Sequence, residues 1–561
     1  MRKPQNSKTP EFVFLPLGGA GEIGMNVYLY GHGPAHARKW IMVDLGITFP
    51  GELEPGVDVV LPDLRFIEEE RGNLLGLILT HAHEDHIGAV PERWPRLQVP
   101  IFATPFTAAM LKAKIAEQKS GPHKLPITEI PLGGRFTLGP FDLQFINMSH
   151  SIPEPSGLAI RTGLGRVFHT GDWKIDPKPV LGVMTDEAAI RAFAEEGIDA
   201  VVCDSTNALR EGHSPSETEV SAKIAEIIKG AKGRVIVTTF ASNLGRIRAV
   251  ADATRAAGRT LVVIGRAMHR VIQVGIETGY LPKGFRYADQ REFGFIERDD
   301  VVALVTGSQG EQRAAMSRIA DGSHPDVTLT RGDLVIFSSR NIPGNELSIG
   351  EVQNGLSEMG CRIITDSDQL VHVTGHPRRD ELRRMYDWCK PRASIPMHGE
   401  ARHLQEHGAL ARACGVPEIV PARNGTLVRI APGPAEIIDD VPVGRLFRDG
   451  KLIVPSDGGP VRERRKLSFS GILVVSLVVS ARGDLLADPQ VVLDGIAHED
   501  RLGDSMQDIV LDAVTGAVES IPKARRKDLA VVQEAARRAA RSACDQATGK
   551  KPICKVLMTV V

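Results

Sequence analysis

The segment at residues 80–90, THAHEDHIGAV, packs three histidines and two acids into positions 81–86, directly after the apolar run 74–79. On the exit from a strand, His81 and His83 can face the same way, because side chains alternate along extended chain. Asp85 and His86 can then turn towards a second point nearby, so one loop can serve two metal ions through nitrogen and oxygen donors. A metal pair of this kind suits hydrolysis, acidifying a water and neutralising charge at the bond that breaks. The competing reading is a solvated, His-rich loop. Further ligands must come from the ends of neighbouring strands. FINMSHSIPEPSG offers His150, VFHTGDWKID offers Asp172 and SIPMHGE offers His398. Each follows an apolar stretch and is flanked by Gly, Ser or Pro, as a strand-end loop would be.

The elements that must hold these residues are legible as patterns. Residues 12–17, 27–30, 40–43, 75–79, 143–146, 167–170 and 200–203 are strand-like, and most end in a polar or histidine-bearing loop. Helical patterns interrupt them at 107–119 and 186–196. From about Ser214 the rhythm changes. SETEVSAKIAEIIKGA predicts a capped helix, with Ser216 as N-cap and Glu219 three residues on. RVIVTTF, TLVVIG, DVVALVTG, DLVIFSS and CRIITD then alternate with helical stretches, the signature of a parallel α/β sheet. After Gln369 the histidine-bearing style returns in LVHVTGHPRRDEL and SIPMHGEARHL. The simplest account is an α/β domain inserted into the first one. The expected division is 1–210 and 371–453 for the host domain, 211–370 for the insertion, 454–465 for a linker and 466–561 for a small C-terminal α+β domain. The tail predicts strands at 471–480 and 555–561 around a basic helical stretch, in which Lys523, Arg525, Arg526, Lys527, Arg537 and Arg538 read as a solvated face.

Bulk properties narrow the function classes. A chain of 561 residues exceeds one core, and 42% hydrophobic with 24% charged residues is globular. At a net charge of −1, a polyanion must find a local basic patch. No apolar run approaches 20 residues, which argues against a membrane span. The first twelve residues lack the apolar middle of a signal peptide. Six scattered cysteines without a CxxC pair fit a reducing compartment, so a cytoplasmic protein is expected.

One motif misleads. Gly19-x-Gly21-x-x-Gly24 with Asp44 twenty residues on has the spacing of a dinucleotide fingerprint. That fingerprint must open a helix, whereas these glycines run into NVYLYGHG and a second strand. The segment reads as a turn between strands.

THAHEDHIGAV with His150, Gly171–Asp172 and VDLG at 43–46 resembles the metallo-β-lactamase fold, an αββα sandwich. CDSTN with Asp204, VTGHP with His376 and PMHGE with His398 narrow the resemblance to its β-CASP, nucleic-acid-processing branch. LGGAGEIGMN, TGSQGE, FSSRNIPGNE and HVTGH resemble bacterial ribonuclease J over about residues 10–480. The resemblance implies that His81, His83 and His150 hold one divalent metal and Asp85, His86 and His398 another, with Asp172 bridging them. Zinc is the leading expectation, and manganese or magnesium also accept such donors. Asp85, His376 and Asp204 are the implied catalytic residues: His376 faces the scissile phosphate and Asp204 orients it. Asp44 is implied to orient a ligand histidine, although a strand-end turn acid is the plain alternative. The loop His372, Val373, Thr374, Gly375 and His376 is implied to bind substrate through backbone N–H groups and the Thr374 hydroxyl.

The implied activity is RNA hydrolysis, 5′-to-3′ from monophosphorylated ends and partly internal, in RNA decay and rRNA maturation. The implied assembly is a homodimer or homotetramer, with RNA-decay or ribosome-associated partners. Ser242, Asn243, Arg246, Ser338, Ser339 and Arg340, placed after strands and before helices, are candidates for a 5′-phosphate pocket. Competing readings are a β-CASP nuclease acting on DNA or only internally, a small-molecule hydrolase, and a non-catalytic RNA scaffold. The remaining histidines at 32, 36, 123, 169, 213, 269, 324, 403, 407 and 498 carry no ligand role, and His169 reads as structural.

Overall fold

The computed structural model describes residues 9–117, 124–342 and 344–561. Among these residues, two large sheets face each other. The first runs Glu436–Asp440, Thr426–Ala431, Glu11–Gly18, Val27–Gly33, Lys39–Val43, Leu74–Ile78, Ile101–Ala103 and Ile127–Glu129; the second runs Glu418–Ile419, Ala393–Met397, Ala200–Asp204, Arg166–His169, Ser156–Arg161, Phe141–Asn147 and Arg135–Leu138. Phe12, Phe14, Tyr28 and Tyr30 from one sheet and Phe145, Leu158, Val202 and Ile395 from the other form the core between them. Alternation sends every second side chain of each strand into that layer. A helical layer covers the second sheet's outer face, where Phe193, Leu382, Met385 and Trp388 bury against Phe168 and Val201.

The strand-to-loop exits are what matter for function. The strands Leu74–Ile78, Arg166–His169, Ala200–Asp204 and Ala393–Met397 pair in parallel with neighbours. Consecutive parallel ends deliver their following loops to one edge, and residues 81–86, 171–172, 204–206 and 398 lie in those loops.

The insertion is a parallel five-stranded sheet in the order Thr260–Ile264, Val301–Val305, Val235–Thr238, Leu334–Phe337, Arg362–Ile364. The alternating pattern expected from the sequence is present strand for strand. Ser216 caps Glu217–Gly230 and Glu219 returns the bond to the Ser216 N–H, completing the capping box. The glycine-rich turn opens no helix: Ala20–Gly21 is a short strand paired with Gly399–Glu400, followed by Val27–Gly33.

Three expectations need correction. The helix expected at 107–119 is Pro105–Ala116, and residues 118 and 119 lie outside the described ones. Residues 454–465, expected as a linker, end a hairpin and start the helix Gly459–Ser470. Pro460 in the first turn and the helix-forming run after it explain that start. The chain also divides earlier than expected. One compact unit comprises residues 1–48 and 60–445, the other 49–59 and 446–561. Residues 49–59 join the second because Asp58 N–H donates to Arg448 O at 2.9 Å and Arg465 Nε to Leu53 O at 2.8 Å. Within that unit, Ile472–Val479 lies between Gln490–Asp494 and Ile553–Val560 and is covered by Met506–Glu519 and Leu529–Thr548. In the basic stretch Arg526 pairs with Asp484, and Arg537 and Arg538 with Glu534.

Candidate metal centre

The strand Leu74–Ile78 ends buried, and His83 is the N-cap of the one-turn helix Glu84–Ile87. That turn splits the loop's donors into two directions. In the first set, His83 Nδ1 lies 3.1 Å from both His81 Nε2 and His150 Nε2. In the second, His86 Nε2 lies 3.5 Å from Asp85 Oδ2, and His398 Nε2 lies 3.7 Å from the same oxygen. Asp172 Oδ2 stands between the sets. It is 3.8 Å from His81 Nε2 and His150 Nε2, 3.2 Å from His86 Nε2 and 3.3 Å from His398 Nε2. Donor atoms of each set lie within 4.8 Å of one another. The structure thus brings together all seven residues singled out as ligands.

Close approach of the loops depends on two glycines. A Cβ on Gly46 would stand 1.7 Å from Asp85 O, and one on Gly375 would stand 2.5 Å from the His150 ring. Neither distance is compatible with any side chain.

Hydrogen bonding on the far sides of the rings fixes which nitrogens face inward. Asp44, fully buried, accepts from Thr80 N–H at 2.8 Å, Thr80 Oγ1 at 2.8 Å and His86 Nδ1 at 2.7 Å. With its own proton committed to Asp44, Thr80 Oγ1 accepts from His81 Nδ1 at 3.0 Å. His150 Nδ1 donates to Gly375 O at 2.6 Å. The lone pairs of His81, His86 and His150 Nε2 are therefore turned into the centre. Gly24 N–H meets His398 Nδ1 at 3.3 Å. Asp172 is buried and its Oδ1 has no hydrogen-bond partner.

Burial holds His81 and His150 well below the usual imidazole range and His83 down to about 4, so these three rings are neutral. Burial opposes charge on His86 and His398 too, but Asp172 and the other carboxylates around them outweigh it, and His398 is raised to about 9. Converging lone pairs and an unpartnered buried carboxylate oxygen are costly without a cation. The donor chemistry fits two divalent ions.

His376 Nδ1 contacts Asp204 Oδ2 at 2.7 Å and lies 3.8 Å from Asp172 Oδ2. Burial disfavours its charge, yet Asp204 and Asp172 raise its pKa. Asp204, His376 and His398 also approach one another closely enough to form a third donor group. The 2.7 Å contact occupies His376 Nδ1, which makes Asp204 a partner of that ring. In the loop 372–376, Thr374 Oγ1 accepts from Asn207 Nδ2 at 3.0 Å and from His376 N–H at 3.2 Å. Arg340 Nη1, from the insertion, donates to Asn207 Oδ1 at 2.7 Å.

The six phosphate-pocket candidates separate. Asn243 caps a helix, accepting from Arg246 N–H at 2.8 Å. Arg246 is wholly buried, donating to Glu217 at 2.7 Å and Val371 O at 2.9 Å and contacting Ser338. By contrast Ser339 Oγ and His372 Nδ1 are buried without hydrogen-bond partners.

Sequence reasoning missed several residues. Asn26 Nδ2 lies 2.9 Å from His86 Nε2 and 3.2 Å from Asp85 Oδ2, while its Oδ1 accepts from Tyr28 OH at 2.7 Å. Its place at the end of the glycine motif was the available signal. Thr80 and Asn207 carried none beyond adjacency. Lys174 is buried beside Asp176 at 3.0 Å, and its Nζ has no hydrogen-bond acceptor. His169 is buried with Nδ1 on Tyr30 OH at 2.9 Å, a structural role. His123 lies outside the described residues.

Comparisons with known proteins agree with this geometry. Family models match for "Beta-lactamase superfamily domain" at residues 40–240, "Ribonuclease J, beta-CASP domain" at 232–356, "Zn-dependent metallo-hydrolase RNA specificity domain" at 361–421 and "Ribonuclease J C-terminal domain" at 459–561. The chain is 54% identical to the Ribonuclease J of Sinorhizobium meliloti over 551 residues, covering 98% of both chains. It is 40% identical to that of Mycolicibacterium smegmatis, covering 82% of each. A solved Enterococcus faecalis protein of unknown function shares the fold, with a TM-score of 0.51 at 13% identity over 75% of this chain and 100% of that one. The fold is accordingly a metallo-β-lactamase domain with an inserted β-CASP domain and a C-terminal domain. The chain belongs to the ribonuclease J family and is a metallo-hydrolase.

Proposed function

We propose that this protein hydrolyses RNA phosphodiester bonds at a two-metal centre held by His81, His83 and His150 on one side and Asp85, His86 and His398 on the other, with Asp172 shared. The observation that carries the reading is the position of Asp172 Oδ2, 3.2–3.8 Å from histidine nitrogens of both sets. When bound, a pair of zinc ions, or manganese or magnesium in their place, would supply an acidified water and neutralise charge at phosphorus. The chain's own residues do the rest. Asp44 holds His86 in the tautomer that presents Nε2. Protonated His376, steadied by Asp204, donates a hydrogen bond or a proton to the oxygen that leaves. The Thr374 hydroxyl and the backbone N–H groups of 372–376 orient the phosphate. Displacement in this sense leaves a 5′-phosphate on the released piece and a 3′-hydroxyl on the other.

We assign the 5′-monophosphate pocket to Ser339 and His372, with Lys174 and Arg340 supplying positive charge. Their buried, unpartnered Ser339 Oγ, His372 Nδ1 and Lys174 Nζ support this, since buried donors demand partners. Such a pocket favours 5′-to-3′ trimming of monophosphorylated RNA, with internal cleavage as the minor mode. RNA decay and rRNA maturation in the cytoplasm, and a homodimer or homotetramer working with other RNA-decay proteins, complete the reading. No helix among the described residues is long and apolar enough to cross a membrane. Product mapping on matched RNA and DNA with monophosphate, triphosphate or hydroxyl 5′ ends, combined with metal analysis, tests it. Stepwise release from monophosphorylated RNA supports it; equal cutting of DNA or purely internal cutting would replace it with the broader β-CASP reading.

A further inference from the structure

A cavity of about 290 Å³ lies against the metal centre, walled on one side by His150 and on the other by Tyr280 of the inserted domain. Pro155, Leu181 and Val183 supply apolar surface, while Glu154 and the Tyr280 hydroxyl supply polar edges. No step of the hydrolysis described above uses it.

The Tyr280 ring is held from two directions. Its hydroxyl donates to Glu154 Oε1 at 2.9 Å, and the ring stands edge-on to Phe106 with centroids 5.6 Å apart and planes at 89°. Glu154 is itself fixed: its other oxygen accepts from Phe106 N–H at 2.7 Å, and it is buried at a φ of 58° between two prolines. A non-glycine residue in that region is strained, and strain of this kind collects at functional sites. The two walls belong to different domains, so the cavity exists only where host and insertion meet.

A flat, half-apolar space with a clamped aromatic wall, one side chain away from the reacting centre, matches a nucleobase. Bases stack on aromatic side chains whatever their identity, and unstacked bases are what proteins hold when they grip single-stranded RNA. We infer that this cavity is a base subsite that receives one nucleotide next to the scissile phosphate, with Tyr280 as the stacking platform. The inference rests on the ribonuclease reading above. It gives the enzyme a grip on the strand that is independent of the 5′ end and of sequence.

The test is an abasic scan. A 5′-monophosphorylated RNA is prepared with a single abasic site at each successive position around a defined cut. Cleavage rate is read for each, and equilibrium binding is read with a non-hydrolysable phosphorothioate version. In the wild type, one position is expected to cost about tenfold in both readouts, the worth of one stacked base, while its neighbours cost little. Leu181→Trp, which fills the space, and Tyr280→Ala, which removes the platform, should bind intact RNA about tenfold more weakly and lose that positional penalty. Tyr280→Phe keeps the ring and should keep the penalty. Metal content and unfolding temperature verify that each variant is folded. Cleavage with no position-specific penalty in the wild type overturns the inference, as does a penalty undiminished in both Leu181→Trp and Tyr280→Ala. A position-specific binding loss without any RNA cleavage would overturn the ribonuclease reading and leave the subsite standing.

Discussion

Replacing Asp44 by Asn tests how the centre is organised. Asp44 has a φ of 62°, a region that Asn tolerates, so the backbone is not strained by the change. The amide oxygen can still accept from Thr80 N–H. The amide nitrogen then takes the place of the oxygen that now lies 2.7 Å from His86 Nδ1 and 2.8 Å from Thr80 Oγ1. It can only donate there. His86 must answer with a bare Nδ1 and carry its proton on Nε2, the nitrogen that faces Asp85 and Asp172. That proton blocks the ligand atom. Loss of such an orienting partner costs about 10–100-fold in metal affinity, or about 1.4–2.7 kcal/mol. The effect should fall on the set containing His86, because His81 and His150 keep their orientation through Thr80 and Gly375. Calorimetric metal titration of the stripped protein reads the two sites separately. Two unequal sites, the weaker shifted by at least tenfold and the other within threefold, is the expected result. Equal weakening of both sites, or no weakening, would refute the tautomer argument.

Four further outcomes follow from the same geometry. Asp85→Ala should lose hydrolysis by at least a thousandfold and release one metal per chain, with its fold intact by circular dichroism. His376→Ala should keep both metals and lose about 10²–10⁴ in turnover, the usual worth of a positioned proton donor; metal loss would place it among the ligands. Glu381, wholly buried, accepts from the N–H groups of Ile175, Ser214 and Arg378 at 2.8–2.9 Å. Glu381→Ala strands all three, so chemical denaturation should show a loss of about 3 kcal/mol or more. Burial depresses the His407 imidazole to about 4, between Ser205 and Tyr386. The unfolded chain takes up that proton first, near pH 6.5. Stability from this group is therefore full above pH 6.5 and lost as pH falls towards 4, by about 3 kcal/mol. His407→Gln should flatten the acid limb of the unfolding-temperature profile.

The ligand set was legible because histidine and aspartate at strand ends are few and their spacing is demanding. His81, His83 and His86 share one loop, and the strands that deliver Asp172 and His398 are apolar enough to recognise alone. The α/β insertion was legible because its helix starts are capped, as at Ser216. What escaped has a physical reason. Asn26 and Asn207 act through a side-chain amide whose partners are 60 and 167 residues away in sequence, and no local pattern marks such contacts. Lys174 and Glu381 are charges hidden by burial, which composition cannot reveal. The stretch at 454–465 read as a linker because its prolines and glycines mark turns, yet the same Pro460 suits the first turn of a helix. The membership of residues 49–59 in the C-terminal unit rests on long-range backbone bonds with no signature in side-chain pattern.

Anomalous diffraction from crystals grown with excess zinc or manganese addresses the two-metal account most directly. Two peaks about 3.5–4 Å apart, on either side of Asp172 Oδ2 and ligated by the two histidine sets, are the result it requires. A single peak among Asp204, His376 and His398, or none within reach of Asp172, would contradict it.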